Sequence, residues 1–336
     1  LLPAVARADE PLLKVGFAEA DITPEPGMEK PGGYHKSSFK KMHDPCKVRV
    51  AVFDDGQKRA ALVGVDTLMV PRHLVKAARE GIEKKCGIAP EAVLIGASHS
   101  HTSGPLGMVQ PGQFDHASDL VQKLAYEKSS CADPKYLETV RKAIVDSVCK
   151  ADASRVEAAC DVGLGHEDQV AFNRRFRMKD GLTFTHPGKR NPDIIEPAGP
   201  IDPDVGVLAA WNKDDDTRLL GCVVNYACHA TTGAPGWSAN WIYDMEQAIR
   251  GMMGEDVIVV FMAGDSGDIT QVDNLSPYPT ISGRVVGGRV GAEAVKTMLL
   301  MTPGPLGPID FSRKVWNIAR RPPNPEKVKE LKRLAE

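Results

Sequence analysis

The stretch Ala92-Val93-Leu94-Ile95-Gly96-Ala97-Ser98-His99-Ser100-His101-Thr102-Ser103-Gly104-Pro105 begins as an apolar strand and ends in two histidines framed by hydroxyls and a Gly-Pro turn. Upstream of it, Pro71 opens an amphipathic helix with Leu74, Val75, Ala78 and Ile82 on one stripe, and Gly87 closes it. Before that helix comes a second apolar strand, Ala60 to Val65, which ends on the carboxylate of Asp66. Strand, helix and strand in that order mark a parallel unit, so residues 59–97 set the class as α/β. If extended backbone persists through the histidines, His99 and His101 point to one face, because residues two apart do so.

Working outward, residues 13–20 read as a strand. Val48–Phe53 and Ala60–Asp66 form a hairpin across Asp54-Asp55-Gly56. Gly32-Gly33-Tyr34-His35 is a polar loop that can line a pocket or face solvent. On the other side, residues 105–133 read as a long loop, Pro134 starts a second amphipathic helix, and 156–164 is a strand. In Ala171–Arg177, Arg175 and Arg177 suit a solvated hairpin edge, while Arg174 is open as an anion or carbonyl clamp. Residues 185–204 form a loop or lid. A second hairpin, Val205–Trp211 and Leu219–Ala227, runs into Cys228-His229; a helix at 239–253 carries Asp244 and Glu246. The strand Val257–Met262 empties into Ala263-Gly264-Asp265-Ser266-Gly267-Asp268-Ile269-Thr270, and a Gly-rich helix covers 281–300. No internal repeat is evident. The expected architecture is a mixed, largely parallel sheet with helices packed on it.

Composition narrows the function. A chain of 336 residues with a net charge of −2 and no basic block offers no nucleic-acid surface, and no apolar run is long enough to span a membrane. Leu1 to Ala8 reads as a signal-peptide remnant, with Ala6-x-Ala8 as the cleavage pattern; the expected location is therefore outside the cytoplasm, periplasmic or secreted. Residues 9–336 are then expected to form one α/β domain, expected to be cut short at its C-terminus inside the charged run Pro325–Glu336. Seven cysteines without a Cys-x-x-Cys pair argue against a thiolate zinc site and fix no disulfide pairing.

Three apolar strands, 92–97, 219–227 and 257–262, each end in a polar cluster. Ligands of open α/β sheets sit beyond such ends. If the three are parallel neighbours, His99, His101, His229, Asp265, Asp268 and Thr270 surround one pocket. Histidines from two strands plus carboxylates suit Zn²⁺ with an open position, as in a hydrolytic site. Asp244, Asp265 or Asp268 can supply a third ligand.

These segments resemble the neutral/alkaline, non-lysosomal ceramidases. The resemblance rests on Gly16 to Thr23, His99-Ser100-His101-Thr102-Ser103-Gly104-Pro105, Asn173-Arg174, Ala227-Cys228-His229 and Gly267-Asp268-Ile269-Thr270. It implies a ceramidase-type catalytic domain that hydrolyses an N-acyl amide, ceramide or a ceramide-like lipid, with water activated by zinc. It implies His99 and His229 as metal ligands, and His101, Arg174, Asp268 and Thr270 as the catalytic surroundings. Thr270 stands where the family carries serine, and Gln271-Val272 replaces Pro-Asn. The family's further zinc ligands, a Glu and a Tyr, are expected beyond Glu336, and residues 1–336 are not expected to include its immunoglobulin-like C-terminal domain. The expected partner is a small-molecule or lipid amide, with peripheral membrane contact and no transmembrane span. Two other readings stay open: an exported metal hydrolase for another ester or sugar-amide, and a non-catalytic binding protein on the same scaffold.

Overall fold

The computed structural model describes residues 11–33 and 35–335; the expected signal-peptide remnant at 1–8 lies outside them. β1 (Leu13–Asp21) pairs antiparallel with β2 (Lys47–Asp54), and β2 with β3 (Arg59–Val65). The tight turn between β2 and β3 is built by aspartates. Asp54 accepts from the Gly56 N–H, and Asp55 from those of Gln57 and Lys58. α1 (Arg72–Cys86) buries Leu74, Ala78 and Ile82 and ends at Gly87, as the periodicity predicts. β4 (Val93–Ala97) then returns parallel to β3. The segment expected as a plain loop, 105–133, contains the short helix α2 (Asp119–Gln122) and a wider helical turn at Lys123–Lys128. α3 (Pro134–Ala153) starts with proline in its first turn and with the Asp133 side chain accepting the Tyr136 N–H.

The second half of the chain repeats this topology. After β5 (Val156–His166) come four short strands, β6 (Phe172–Asn173), β7 (Arg175–Met178), β8 (Thr183–Thr185) and β9 (Ile194–Pro197). β10 (Asp204–Asn212), β11 (Asp215–Tyr226), α4 (Trp241–Met253), β12 (Ile258–Ala263), the two-residue β13 (Ile269–Thr270) and α5 (Gly283–Met298) follow, with α6 (Pro325–Ala335) last. β5, β10, β11 and β12 match β1 to β4 strand for strand: two antiparallel pairings, then a parallel one reached through a helix, then another helix. The duplication lies in topology and burial rather than in residue identity, so the sequence shows no repeat.

All eight strands belong to one sheet, in the order β12-β11-β10-β5-β1-β2-β3-β4. The mixed sheet with packed helices is as expected, but its balance is antiparallel. Only β3–β4 and β11–β12 are parallel, because only α1 and α4 provide crossovers, and the hairpin turns impose the opposite direction. The halves are joined by a short β1–β5 pairing, Leu13 to Val15 against Val156 to Ala158.

Three apolar cores show that the sheet is bent double. One lies between β10–β12 and α4–α5, a second between β1–β4 and α1 with α3. The third takes Val15, Ala51 and Phe53 from one half and Cys160, Ala210, Val223 and Val260 from the other. The result is four layers, helix–sheet–sheet–helix. The β12 edge approaches β3 closely enough that a Cβ on Gly64 would lie 2.5 Å from the Phe261 carbonyl oxygen.

A buried charge network also ties the halves. Arg49, 1% exposed, bridges Asp66 at the end of β3 to Glu246 in α4. Lys47 and Arg250 also reach Glu246, at 2.9 and 2.8 Å. Burial pushes Glu246 up, but these three cations outweigh it and hold its carboxyl below the ordinary range. Charges this deep persist only when paired.

Candidate metal centre

β4 stops at Ala97, and His99 adopts φ +59°, a left-handed conformation uncommon for any residue but glycine. The alternation expected through the histidines is therefore broken. The two side chains converge because the turn re-aims His99. Strain of this kind is held in place by neighbours and tends to gather at functional sites. The strand arrangement differs as well: β11 and β12 are parallel neighbours, whereas β4 is the opposite sheet edge and reaches them through the bend.

His99, His101 and His229 form one group, with ligand atoms all within 4.8 Å of one another. His99 Nε2 lies 3.2 Å from His229 Nε2 and 3.3 Å from His101 Nε2. Each Nδ1 faces a backbone carbonyl. His99 meets Leu68 O at 2.8 Å, His101 meets Gly32 O at 2.8 Å, and His229 meets Ser266 O with Ile269 O at 3.2 Å. A carbonyl only accepts, so each Nδ1 carries the proton and each Nε2 turns a lone pair inward. Three converging lone pairs repel unless a cation lies among them.

That cation is either a proton or a metal ion. Burial first, then the neighbouring His99 and Arg174, push His229 down to about 4. Burial likewise lowers His101. A proton on His229 is thus poorly held at neutral pH. The spacing suits a metal: nitrogens at about 2.0–2.1 Å around a tetrahedral ion stand roughly 3.3 Å apart. Carbonyl acceptors on the far ring nitrogens are also the usual outer support of metal-binding histidines. The donor set fits a divalent ion that accepts imidazole.

The hydroxyls of Ser100, Thr102 and Ser103, beside the histidines, point the other way. Ser100 Oγ donates to Ser238 O at 2.8 Å, Thr102 Oγ1 to the same oxygen at 3.2 Å, and Ser103 Oγ to Ser100 O at 2.7 Å. Ser238 in turn donates to Asp44, which also accepts the Ala239 N–H. Imidazoles face the centre and hydroxyls anchor the loop to the segment before α4. The His229 side is fixed by its N–H to Ile269 O and by Trp241 Nε1 donating to the His229 carbonyl.

The other expected residues fall around this group. Arg174 stands beside it, its Nη2 donating to Gly267 O at 2.7 Å, while Arg175 and Arg177 are exposed as expected. Asp268 accepts from Asn173 Nδ2 at 3.0 Å and supports the β6–β13 pairing. Thr270, 2% exposed, donates to Gln271 Oε1 at 2.9 Å, one residue from the carbonyl that orients His229. Asp265 is exposed, and Asp244 lies by Thr232 and Gly283. Among the described residues no carboxylate joins the three imidazoles; the third member is His101. Sequence reasoning missed Leu68, Gly32 and Ser266, whose carbonyls have no side-chain signature, and the buried Asp44–Ser238 pair. The Pro31-Gly32-Gly33 run was the available hint of close backbone approach.

No family model matches the chain, and no curated protein matches it. Among solved structures, neutral ceramidase from Pseudomonas aeruginosa superposes with a TM-score of 0.65 at 21% identity. The match covers 87% of this chain and 45% of that one. A ceramidase complexed with C2 matches at the same score and identity, over 87% of this chain and 44% of that chain. The chain has a ceramidase-like fold and spans less than half the length of these structures.

Proposed function

We propose that this protein is a zinc-dependent hydrolase that cleaves an N-acyl amide, ceramide or a ceramide-like lipid, outside the cytoplasm. The observation that carries the reading is the convergence of three Nε2 lone pairs, each oriented by a carbonyl on the far nitrogen, on a ceramidase-like fold. His99, His101 and His229 would hold the ion. When bound, it supplies Lewis acidity toward an acyl carbonyl and acidifies water. Arg174 sets a fixed positive charge beside the imidazoles and suits a polarised acyl oxygen. Asp268 holds Asn173 and, through its carbonyl, the Arg174 N–H, so the segment between β6 and β7 that carries Arg174 stays in place. Thr270 fills the position next to the His229 support, where its hydroxyl can turn from Gln271 toward substrate. No helix among the described residues is long and apolar enough to cross a membrane; the contact proposed with a lipid substrate is peripheral.

The test is metal content together with turnover of a fluorogenic N-acyl amide panel that includes a short-chain ceramide analogue. About one zinc per chain and chelator-sensitive amide cleavage support the reading. Thr270→Ser keeps activity, and Thr270→Val loses about tenfold or more at unchanged zinc content. Stoichiometric zinc with cleavage of esters only would move the protein to another hydrolase class. Absence of bound metal after zinc loading would overturn the proposal.

A further inference from the structure

Asn240 stands immediately before α4, where an asparagine side chain ordinarily accepts an N–H of the first helical turn. Here the side chain makes no such bond. The backbone is unusual too, at φ +65° and ψ −150°, a combination that glycine adopts freely and other residues rarely hold. Asn240 is 3% exposed, so protein contacts hold it there.

The diverted carboxamide joins the two loops that carry histidines. Oδ1 accepts the Thr232 N–H at 3.0 Å and the Thr232 hydroxyl at 2.6 Å, just past His229. Nδ2 reaches Thr102 Oγ1 at 3.4 Å, next to His101. One side chain thus touches both halves of the bent sheet. A capping bond to α4 would draw Oδ1 away from Thr232. The backbone on either side is committed in the same way. Ser238 N donates to Thr102 O at 3.0 Å, and Trp241 Nε1 donates to the His229 carbonyl at 3.1 Å. Ser238 and Trp241 therefore serve opposite loops, and the turn between them falls on Asn240. Its own N–H donates to Ser238 Oγ at 2.8 Å, and its carbonyl accepts the Tyr243 N–H at 3.0 Å.

We propose that Asn240 is a positioning residue of the metal centre, held in a strained backbone so that one carboxamide latches the His101 loop to the His229 loop. Strain persists where the surroundings over-determine it, and it gathers at functional sites. Asn240 acts through Thr102 and Thr232 and not on the ion. The inference rests on the reading of His99, His101 and His229 as metal ligands, and adds what keeps two of them in register.

Two substitutions separate backbone from side chain. Asn240→Gly removes the carboxamide and relieves the strain, whereas Asn240→Ala removes the carboxamide and keeps the strain. Zinc affinity is measured by competition with a calibrated chelator, and the metal-free proteins are melted. Both variants are expected to bind zinc about 10–100-fold more weakly, the range for losing an outer support of a ligand. Metal-free Asn240→Gly is expected to melt roughly 2–5 °C above Asn240→Ala. A folded Asn240→Gly beside an Asn240→Ala that does not fold gives the same order, and affinity is then read on the glycine variant. A purely structural residue would change melting and leave the affinity of the folded variants as it was. Unchanged affinity in the folded variants overturns this inference alone. Equal melting temperatures, or an Asn240→Gly protein that does not fold, overturn the strain on which it stands. An unmodified protein that takes up no zinc overturns the metal reading itself and this inference with it.

Discussion

The Gly32 carbonyl accepts the Nδ1–H of His101 at 2.8 Å, and a Cβ on Gly32 would stand 2.0 Å from the His101 carbonyl oxygen. The same close approach that orients the imidazole thus leaves no room for a side chain. Gly32→Ala must push the loop off the histidine segment, since the obstacle is backbone. Zinc affinity is expected to fall about 10–100-fold, the usual effect of losing an outer-sphere partner. Competition with a calibrated chelator measures it; unchanged affinity would show that the Gly32 contact does not matter to the site.

His101 separates two accounts of the centre. As a substrate contact, its loss leaves metal in place; as a third ligand, its loss empties the site. His101→Ala is expected to retain less than about one-tenth of the bound zinc, like His99→Ala and His229→Ala, because two imidazoles hold the ion weakly. Elemental analysis after dialysis gives the answer. One zinc per chain in His101→Ala would return the residue to the substrate side.

Asp44, 5% exposed, has its carboxyl raised to about 6 by burial, against the pull of the Ser238 and Ala239 hydrogen bonds. The folded state therefore favours the proton. The associated stability is full below about pH 4, where the unfolded carboxyl is also protonated, and is lost as pH rises through about 6. The change amounts to about 3 kcal/mol at most. Asp44→Asn should flatten this part of the profile. Denaturant unfolding of both proteins at pH 4, 5, 6 and 7 tests it, and parallel curves would refute the assignment.

Removing Arg49 leaves Asp66 without its buried partner and strips one of three cations from Glu246. Arg49→Ala is expected to cost about 3–5 kcal/mol. A double variant, Arg49→Met with Asp66→Asn, should recover part of the loss, since it removes an unpaired charge. Urea midpoints decide between these outcomes. A loss below about 1 kcal/mol in Arg49→Ala would mean that the network is screened by water.

Much of this was legible in the sequence because it rests on period and punctuation. Leu74, Ala78 and Ile82 with Gly87 define α1, and the apolar runs before Asp66, His99, His229 and Asp265 define the strands that deliver the site. Two things were not legible. The fold-back of the sheet depends on how distant edges pack, and a local pattern carries no signal for Gly64 meeting Phe261. The third imidazole was legible as a neighbour but not as a ligand, and the alternation from which its direction was inferred is broken by His99 at φ +59°, so the side chains converge through the turn instead. The roles of Asp44 and Gly32 were equally hidden, since Asp44 acts on Ser238 nearly two hundred residues away and Gly32 acts through its carbonyl.

The three imidazoles come from both halves of the bent sheet, His99 and His101 after β4 and His229 after β11, while the sheet itself is continuous only through the short β1–β5 pairing, with the Glu246 network and the Ser238 contacts as further ties. An ion held by all three would thus be a clasp across the bend. Its binding free energy is available to the closed arrangement and not to one in which the halves part, so loading and closure are one equilibrium. Raising the free ion concentration from Kd to a thousandfold above it should then suppress opening by several hundredfold, and hydrogen exchange in β4 and β12 should slow in step while exchange within α1 and α5 does not.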